Sequence, residues 1–244
     1  MRLLDRSRPP RSVATRMRDA PAWVFDWDGT LLDSMAKTRA TYRQLFGEMA
    51  IPFDEAHFPR IYSPVWTKVY EQVGLPHDRW PDADRRWVQL YESEASTLVE
   101  GAADAIRALA DSGVRLGLVT AGNRTRVELE LRANGLEDAF ATAVYGDAVP
   151  RQKPDPAPLQ LAARYLRLEP RDLIYVGDAT DDMLMGRRAG ALPIGVLSGT
   201  AERRRLRSAG ARWVAGSVGE VVRAAGRVGP ARPSWAQRLG LPFP

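Results

Sequence analysis

Cysteine is absent from all 244 residues. That excludes a disulfide framework, a thiolate metal site and a thiol nucleophile, and it agrees with a reducing compartment. No stretch approaches the ~18 consecutive apolar residues that a membrane span needs. Residues 1–21 have no apolar signal-peptide core, which argues against secretion. Lysine is scarce, three residues against 32 arginines. Hydrophobic content of 45% and a mean hydropathy of −0.32 fit an ordinary soluble globule.

The net charge of +5 is unevenly spread. Residues 1–21 carry six arginines against Asp5 and Asp19, and residues 201–244 carry nine against Glu202 and Glu220. The stretch 22–200 is left with 20 cationic against 26 anionic side chains, a net −6. A basic groove interleaved with aromatics, the signature of a nucleic-acid binder, is not evident there. Neither nucleic acid nor membrane is therefore expected as a partner.

The segment Asp26-Trp27-Asp28-Gly29-Thr30 follows the apolar run Ala22-Trp23-Val24-Phe25, which reads as a buried strand. Side chains two apart on a strand share a face, so Asp26 and Asp28 are expected to project together. Their repulsion would raise one pKa, and a bound cation would relieve it. Four more strand runs follow: Val114–Thr120, Ala141–Tyr145, Leu173–Gly177 and Pro193–Val196. The intervening helices carry end signals in a Thr125-x-x-Glu128 capping box, an Asp155-Pro156 start, and Gly113, Gly135 and Gly190 at C-terminal ends. Strand–helix alternation over about 100–200 predicts an α/β fold on a parallel, Rossmann-like sheet, with ligands at the carboxyl ends of its strands. Residues 33–98 break the alternation with helical patterns and Trp66, Trp80 and Trp87, and read as an inserted helical domain. The expected organisation is a disordered basic extension (1–21), a core (22–32 and 99–227), the insert (33–98) and a tail (228–244).

Each strand end carries a group suited to phosphate chemistry. Thr120, with Ala121-Gly122-Asn123 opening a helix, offers a hydroxyl and free backbone N–H groups. Lys153, in Lys153-Pro154-Asp155-Pro156, is a compact ammonium that an arginine fork does not replace. Asp178, Asp181 and Asp182 cluster at a strand end and helix start, a pattern suited to a hard cation.

In order and spacing these segments resemble the four motifs of the haloacid dehalogenase superfamily phosphatases with a C1 cap, and most nearly the phosphoglycolate phosphatase-like group. Asp26-Trp27-Asp28-Gly29-Thr30 matches the first motif, Thr120 the second, Lys153 the third, and Gly177-Asp178 with Asp182 the fourth. Trp27 is bulkier than the family usually places between the aspartates. The resemblance implies hydrolysis of a small phosphomonoester through an aspartyl-phosphate. Asp26 would be the nucleophile and Asp28 the general acid and base. Mg²⁺ would be held by Asp26, the backbone carbonyl of Asp28 and Asp178, with Asp182 orienting one of its waters. Thr120, Ala121 and Lys153 would hold the phosphoryl oxygens.

Three alternatives stay in view; the superfamily's dehalogenases lack the second aspartate and are disfavoured by Asp28, which leaves two. One is a β-phosphoglucomutase-type mutase, disfavoured by Thr30 and by the lack of a histidine in Met35-Ala36-Lys37-Thr38. The other is a non-catalytic binding module on the same fold, disfavoured because no catalytic position is lost. The partner implied is a small phosphorylated metabolite in the cytoplasm, with monomer and dimer both open. Lys37, Arg39, Arg43, His57, Lys68 and Ser63–Trp66 are the candidates in the insert for substrate choice.

Overall fold

The computed structural model describes residues 8–61, 66–93, 97–199 and 201–226. Its elements run α1 (Arg11–Asp19), β1 (Ala22–Phe25), α2 (Ser34–Glu48), α3 (Phe58–Ile61), α4 (Trp66–Gln72), α5 (Trp80–Ser93) and α6 (Ala102–Asp111). They continue with β2 (Arg115–Val119), α7 (Arg124–Ala133), β3 (Thr142–Val144), α8 (Ala157–Tyr165), β4 (Leu173–Gly177) and α9 (Thr180–Ala189). β5 (Leu192–Val196), α10 (Arg203–Ala209), β6 (Trp213–Ala215) and α11 (Val218–Ala224) complete the order. Two compact units result, one running to Asp33 and resuming at Leu98, the other Ser34–Thr97. Among the described residues no helix is long and apolar enough to cross a membrane.

The first unit is built on a wholly parallel six-stranded sheet of order β3-β2-β1-β4-β5-β6. Its central strands are buried on both faces, which is why they read as continuous apolar runs. Trp23 and Phe25 of β1 and Ile174 and Val176 of β4 enter one core, while Ala22, Val24, Leu173 and Tyr175 enter the other. β1 and β4 pair in register, Phe25 opposite Val176, so the residues after each strand emerge side by side. Leu31 O accepts the N–H of Val99 at 2.8 Å, and Leu32 bridges Leu98, so the chain leaves and re-enters this unit through one paired gate.

Three sequence expectations are corrected here. Residues 11–19 are not a ragged start but a helix whose Val13 and Met17 are buried in the larger core. Its apolar positions lie four apart on one face, and Arg11, Arg16 and Arg18 around them hid that stripe. α7 is capped by Asn123, whose side chain accepts the N–H of Arg126, rather than by Thr125. α8 begins one residue later than Asp155-Pro156 implied, with Pro156 at the cap and Asp155 accepting the N–H of Ala157 at 2.9 Å. Residues 1–7 and the 228–244 tail lie outside the described residues.

The second unit has an aromatic core of its own, with Tyr42, Leu45, Phe46, Phe58, Val69 and Tyr70 buried together. Arg86 of α5 holds Glu48 of α2 in a two-point ion pair, at 2.7 and 2.8 Å. Lys37 is buried, its ammonium 4.4 Å from the centre of the Tyr91 ring. Arg43 pairs with Glu55 at 2.7 Å, and His57 is exposed. Ser63, Pro64 and Val65 lie outside the described residues, as do the side chains of Trp66 and Lys68.

Candidate active site

β1 ends at Phe25, yet the backbone N–H of Asp26 still bonds Val176 O at 2.9 Å. That last rung brings Asp26 beside Asp178, the residue that follows β4. Asp182 joins them from the first turn of α9, where its Oδ2 accepts the N–H of Ala179 at 3.0 Å and so closes the helix start. One oxygen from each of these three buried carboxylates falls within 4.8 Å of the others.

Lys153 reaches into the cluster from the loop after β3. Its ammonium lies 2.5 Å from Asp26 Oδ1 and 2.8 Å from Asp182 Oδ1, and not in ion-pair contact with Asp178 among the described pairs. Thr30 donates its hydroxyl to Asp178 Oδ1 at 2.9 Å and lies 3.4 Å from Asp26 Oδ2. Tyr175, on β4, donates its hydroxyl to Asp182 Oδ1 at 2.9 Å. Both oxygens of Asp182 are thereby engaged by protein donors, which suits an orienting role better than direct ligation.

Burial dominates the electrostatics. It pushes Asp26 well above the ordinary carboxylate range, against the pull of Lys153 and with the repulsion of Asp182 and Asp178. Burial, followed by the charge of Asp182, raises Asp178 to about 7. Burial alone would lower Lys153, but Asp182 and Asp26 outweigh it and hold the ammonium above its usual range. Among the described residues three buried carboxylates share a single ammonium, so the cluster offers the hard oxygen donors, and on ionising the excess negative charge, that fit a small divalent cation such as Mg²⁺.

Thr120 is buried at the end of β2, and its Oγ1 accepts the N–H of Gly122 at 3.0 Å, tightening the loop that displays Ala121. Asp28 goes elsewhere. The strand period stops at Phe25, and the N–H groups of Thr30, Leu31 and Leu32 all turn back to Trp27 O. The expectation that Asp26 and Asp28 share one strand face is thus corrected. The Asp28 carboxylate meets Arg126 of α7, 2.6 Å away, rather than the acidic cluster.

The sequence reading passed over Arg126, Tyr175 and the structural part played by Thr30. It also passed over Gly199. A β-carbon at Gly199 would overlap the Asp178 carboxylate, and one at Gly29, where φ is +77°, would crowd the same Oδ2. The two glycine backbones fix where Asp178 sits. Gly199→Ala is therefore expected to displace Asp178 and raise the Mg²⁺ concentration for half-maximal activity by about tenfold, the cost of losing one well-placed contact. A metal titration of activity checks this, and an unchanged midpoint contradicts it.

Comparison with known proteins agrees with this geometry. The haloacid dehalogenase-like hydrolase family model matches residues 23–196. A phosphoglycolate phosphatase of Cereibacter sphaeroides is 33% identical over 180 residues, 70% of this chain and 82% of the relative. One from Neisseria meningitidis is 27% identical over 220 residues, 82% of this chain and 91% of the relative. A HAD family hydrolase from Deinococcus radiodurans, solved with bound phosphate and sodium, superposes with a TM-score of 0.75 at 26% identity, covering 87% of this chain and all of that one. Sheet, carboxylate cluster and sequence kinship agree: the chain belongs to the haloacid dehalogenase-like hydrolases, as a phosphatase of the phosphoglycolate phosphatase-like group.

Proposed function

We propose that the protein hydrolyses a small phosphomonoester in two steps, with Asp26 as nucleophile and Mg²⁺ as cofactor. The observation that carries this is the buried Asp26 carboxylate, held 2.5 Å from Lys153 and grouped with Asp178 and Asp182 where β1 and β4 end. In the first step an Asp26 oxygen attacks phosphorus and the bond to the leaving oxygen breaks, while Asp28 supplies that oxygen with a proton. In the second, water attacks the same phosphorus, Asp28 takes the water's proton, and the bond to Asp26 breaks to release phosphate. Lys153, the Thr120 hydroxyl and the Ala121 N–H hold the phosphoryl oxygens through both steps.

Mg²⁺ would be held by Asp26, the Asp28 carbonyl and Asp178, with Asp182 fixing one of its waters, and would neutralise charge on the phosphoryl group. The Deinococcus radiodurans relative was solved with phosphate bound, which supports phosphate as a ligand for a protein of this family. The Ser34–Thr97 unit would act as a cap that chooses the leaving group, with Lys37, Arg39, Arg43 and Lys68 as its candidate contacts. The cysteine-free composition supports action in the cytoplasm.

EDTA is expected to abolish turnover of p-nitrophenyl phosphate and Mg²⁺ to restore it. Ca²⁺ should inhibit, because its looser and higher coordination misplaces Asp26. Full activity in EDTA would remove the metal from the mechanism. With β-glucose 1-phosphate the product should be inorganic phosphate, and catalytic formation of glucose 6-phosphate would replace this reading with a mutase.

A further inference from the structure

Asp28 stands apart from the acidic cluster because a single guanidinium takes both of its carboxylate oxygens. Arg126 donates from NH1 to Oδ1 at 3.0 Å and from NH2 to Oδ2 at 2.6 Å. Arg126 is itself fixed, since NH1 also reaches both oxygens of Glu130, at 3.3 and 3.0 Å. Glu130 is only 4% exposed, and it accepts the Trp27 indole N–H at 2.8 Å. Trp27 and Asp28 are neighbours in sequence, and Arg126 and Glu130 lie one turn apart on α7, so the four side chains close a ring. The guanidinium also packs on the backbone of Gly122, where a β-carbon would collide with it. The arginine is thus braced against the same loop that carries Thr120 and Ala121.

We propose that Arg126 is a positioning residue for Asp28, with Glu130 and Trp27 as its anchors, fixing the direction from which Asp28 exchanges a proton with the leaving group. This rests on the acid–base role given to Asp28 above. Two parallel N–H···O bonds set both the rotation and the plane of a carboxylate, which a single ammonium contact does not. Glu130 shares the guanidinium, so the Arg126–Glu130 pair is formally neutral, and what it hands to Asp28 is orientation more than positive potential. The bulky Trp27 between the two aspartates gains a reason here, because its indole N–H reaches the buried anchor and a smaller apolar side chain would leave Glu130 one donor short.

Orientation of an acid matters only where the leaving oxygen needs a proton. p-Nitrophenolate leaves without one and an alkoxide does not, so the ratio of the two turnover rates reads Asp28 directly. The test measures kcat for 2-phosphoglycolate, as an alkyl phosphate, and for p-nitrophenyl phosphate. Asp28→Asn must first lower the alkyl rate more than the aryl rate. If it does not, the acid–base reading of Asp28 fails, whatever Arg126 does. Given that result, Arg126→Ala is expected to lower the alkyl rate about 30-fold and the aryl rate less than about threefold. In the Asp28→Asn background it should leave the ratio unchanged. Arg126→Lys keeps the charge without the fork and should stay at least about tenfold down on the alkyl phosphate. Arg126→Ala takes the guanidinium from the buried Glu130, so the same assays are run on Arg126→Ala with Glu130→Gln, whose amide oxygen still accepts the indole N–H. Equal losses on both substrates, or full rescue by lysine, would overturn the positioning role and leave a charge or a structural tie in its place.

Discussion

Asp26→Asn is expected to give a folded protein with less than about 1% of wild-type kcat, a loss above about 2.7 kcal/mol in the barrier. The amide matches the carboxyl in size and can still accept the Lys153 hydrogen bond, but it has no oxygen able to form an acyl phosphate. Burial and the charges of Asp182 and Asp178 hold the Asp26 acid well above its ordinary range. The sign follows. A carboxyl whose folded pKa is raised contributes stability at low pH and loses it as pH rises past its unfolded value. Ionising Asp26 in this buried place costs the fold, and asparagine has no charge to bury. The variant's thermal midpoint in EDTA should equal or exceed the wild type's while its turnover is lost. If more than about 1% of turnover survived, direct attack by water on the substrate would be the better mechanism.

Lys153→Met should cost the fold as well as the chemistry. The Lys153 side chain is 11% exposed and serves Asp26 and Asp182, themselves 8% and 1% exposed. Taking one partner from a buried ion pair generally costs about 3–5 kcal/mol, because the remaining charge stays buried and uncompensated. For a chain of this size that is a fall in thermal midpoint of about 10 °C in EDTA. Mg²⁺ should restore more of the midpoint in the variant than it adds to the wild type, since a metal bound only by the folded cluster stabilises it. Phosphatase activity should stay lost even with the metal. Thermal unfolding of both proteins in EDTA and in Mg²⁺ checks the pattern, and a variant as stable as wild type in EDTA contradicts it. Arginine should not substitute, because its planar fork needs more room than the ammonium occupies between the two carboxylates.

The sheet was legible because its strands are buried on both faces. Ala22–Phe25 and Leu173–Gly177 were bounded to the residue, their apolar runs interrupted by Asp26 and Asp178. β6 escaped because Trp213-Val214-Ala215 stands between Arg212 and Gly216 with no longer run around it, whereas the equally short β3 lies within Ala141–Tyr145. α1 escaped for a different reason, its two buried side chains being outnumbered by arginines that face solvent. In the site, Asp26, Lys153, Asp178 and Asp182 converge as their places at strand ends suggested. The direction of Asp28 was not legible, because a turn, not a strand, carries it, and its partner lies 98 residues away. Glu130 gave only a weak signal, an acidic residue one turn from an arginine, which usually marks a solvated helix face. Only the fold shows it buried against Trp27.

The central place of β1 has a consequence for how the chain comes off the ribosome. Its neighbour β2 is made first, whereas β4 begins about 50 residues after β2 ends, a wait of about 3–10 s at ordinary elongation rates. During that interval one edge of β1 presents unpaired N–H and C=O groups along Ala22-Trp23-Val24-Phe25, a template for pairing with another nascent chain. The Asp28–Arg126–Glu130–Trp27 ring can close before β4 arrives, since all four residues precede it. The cluster around Asp26 cannot, because Lys153, Asp178 and Asp182 are still to come. The setting of Asp28 can therefore form on an incomplete sheet, and factors that shield the nascent chain would matter most between the synthesis of Val119 and that of Gly177.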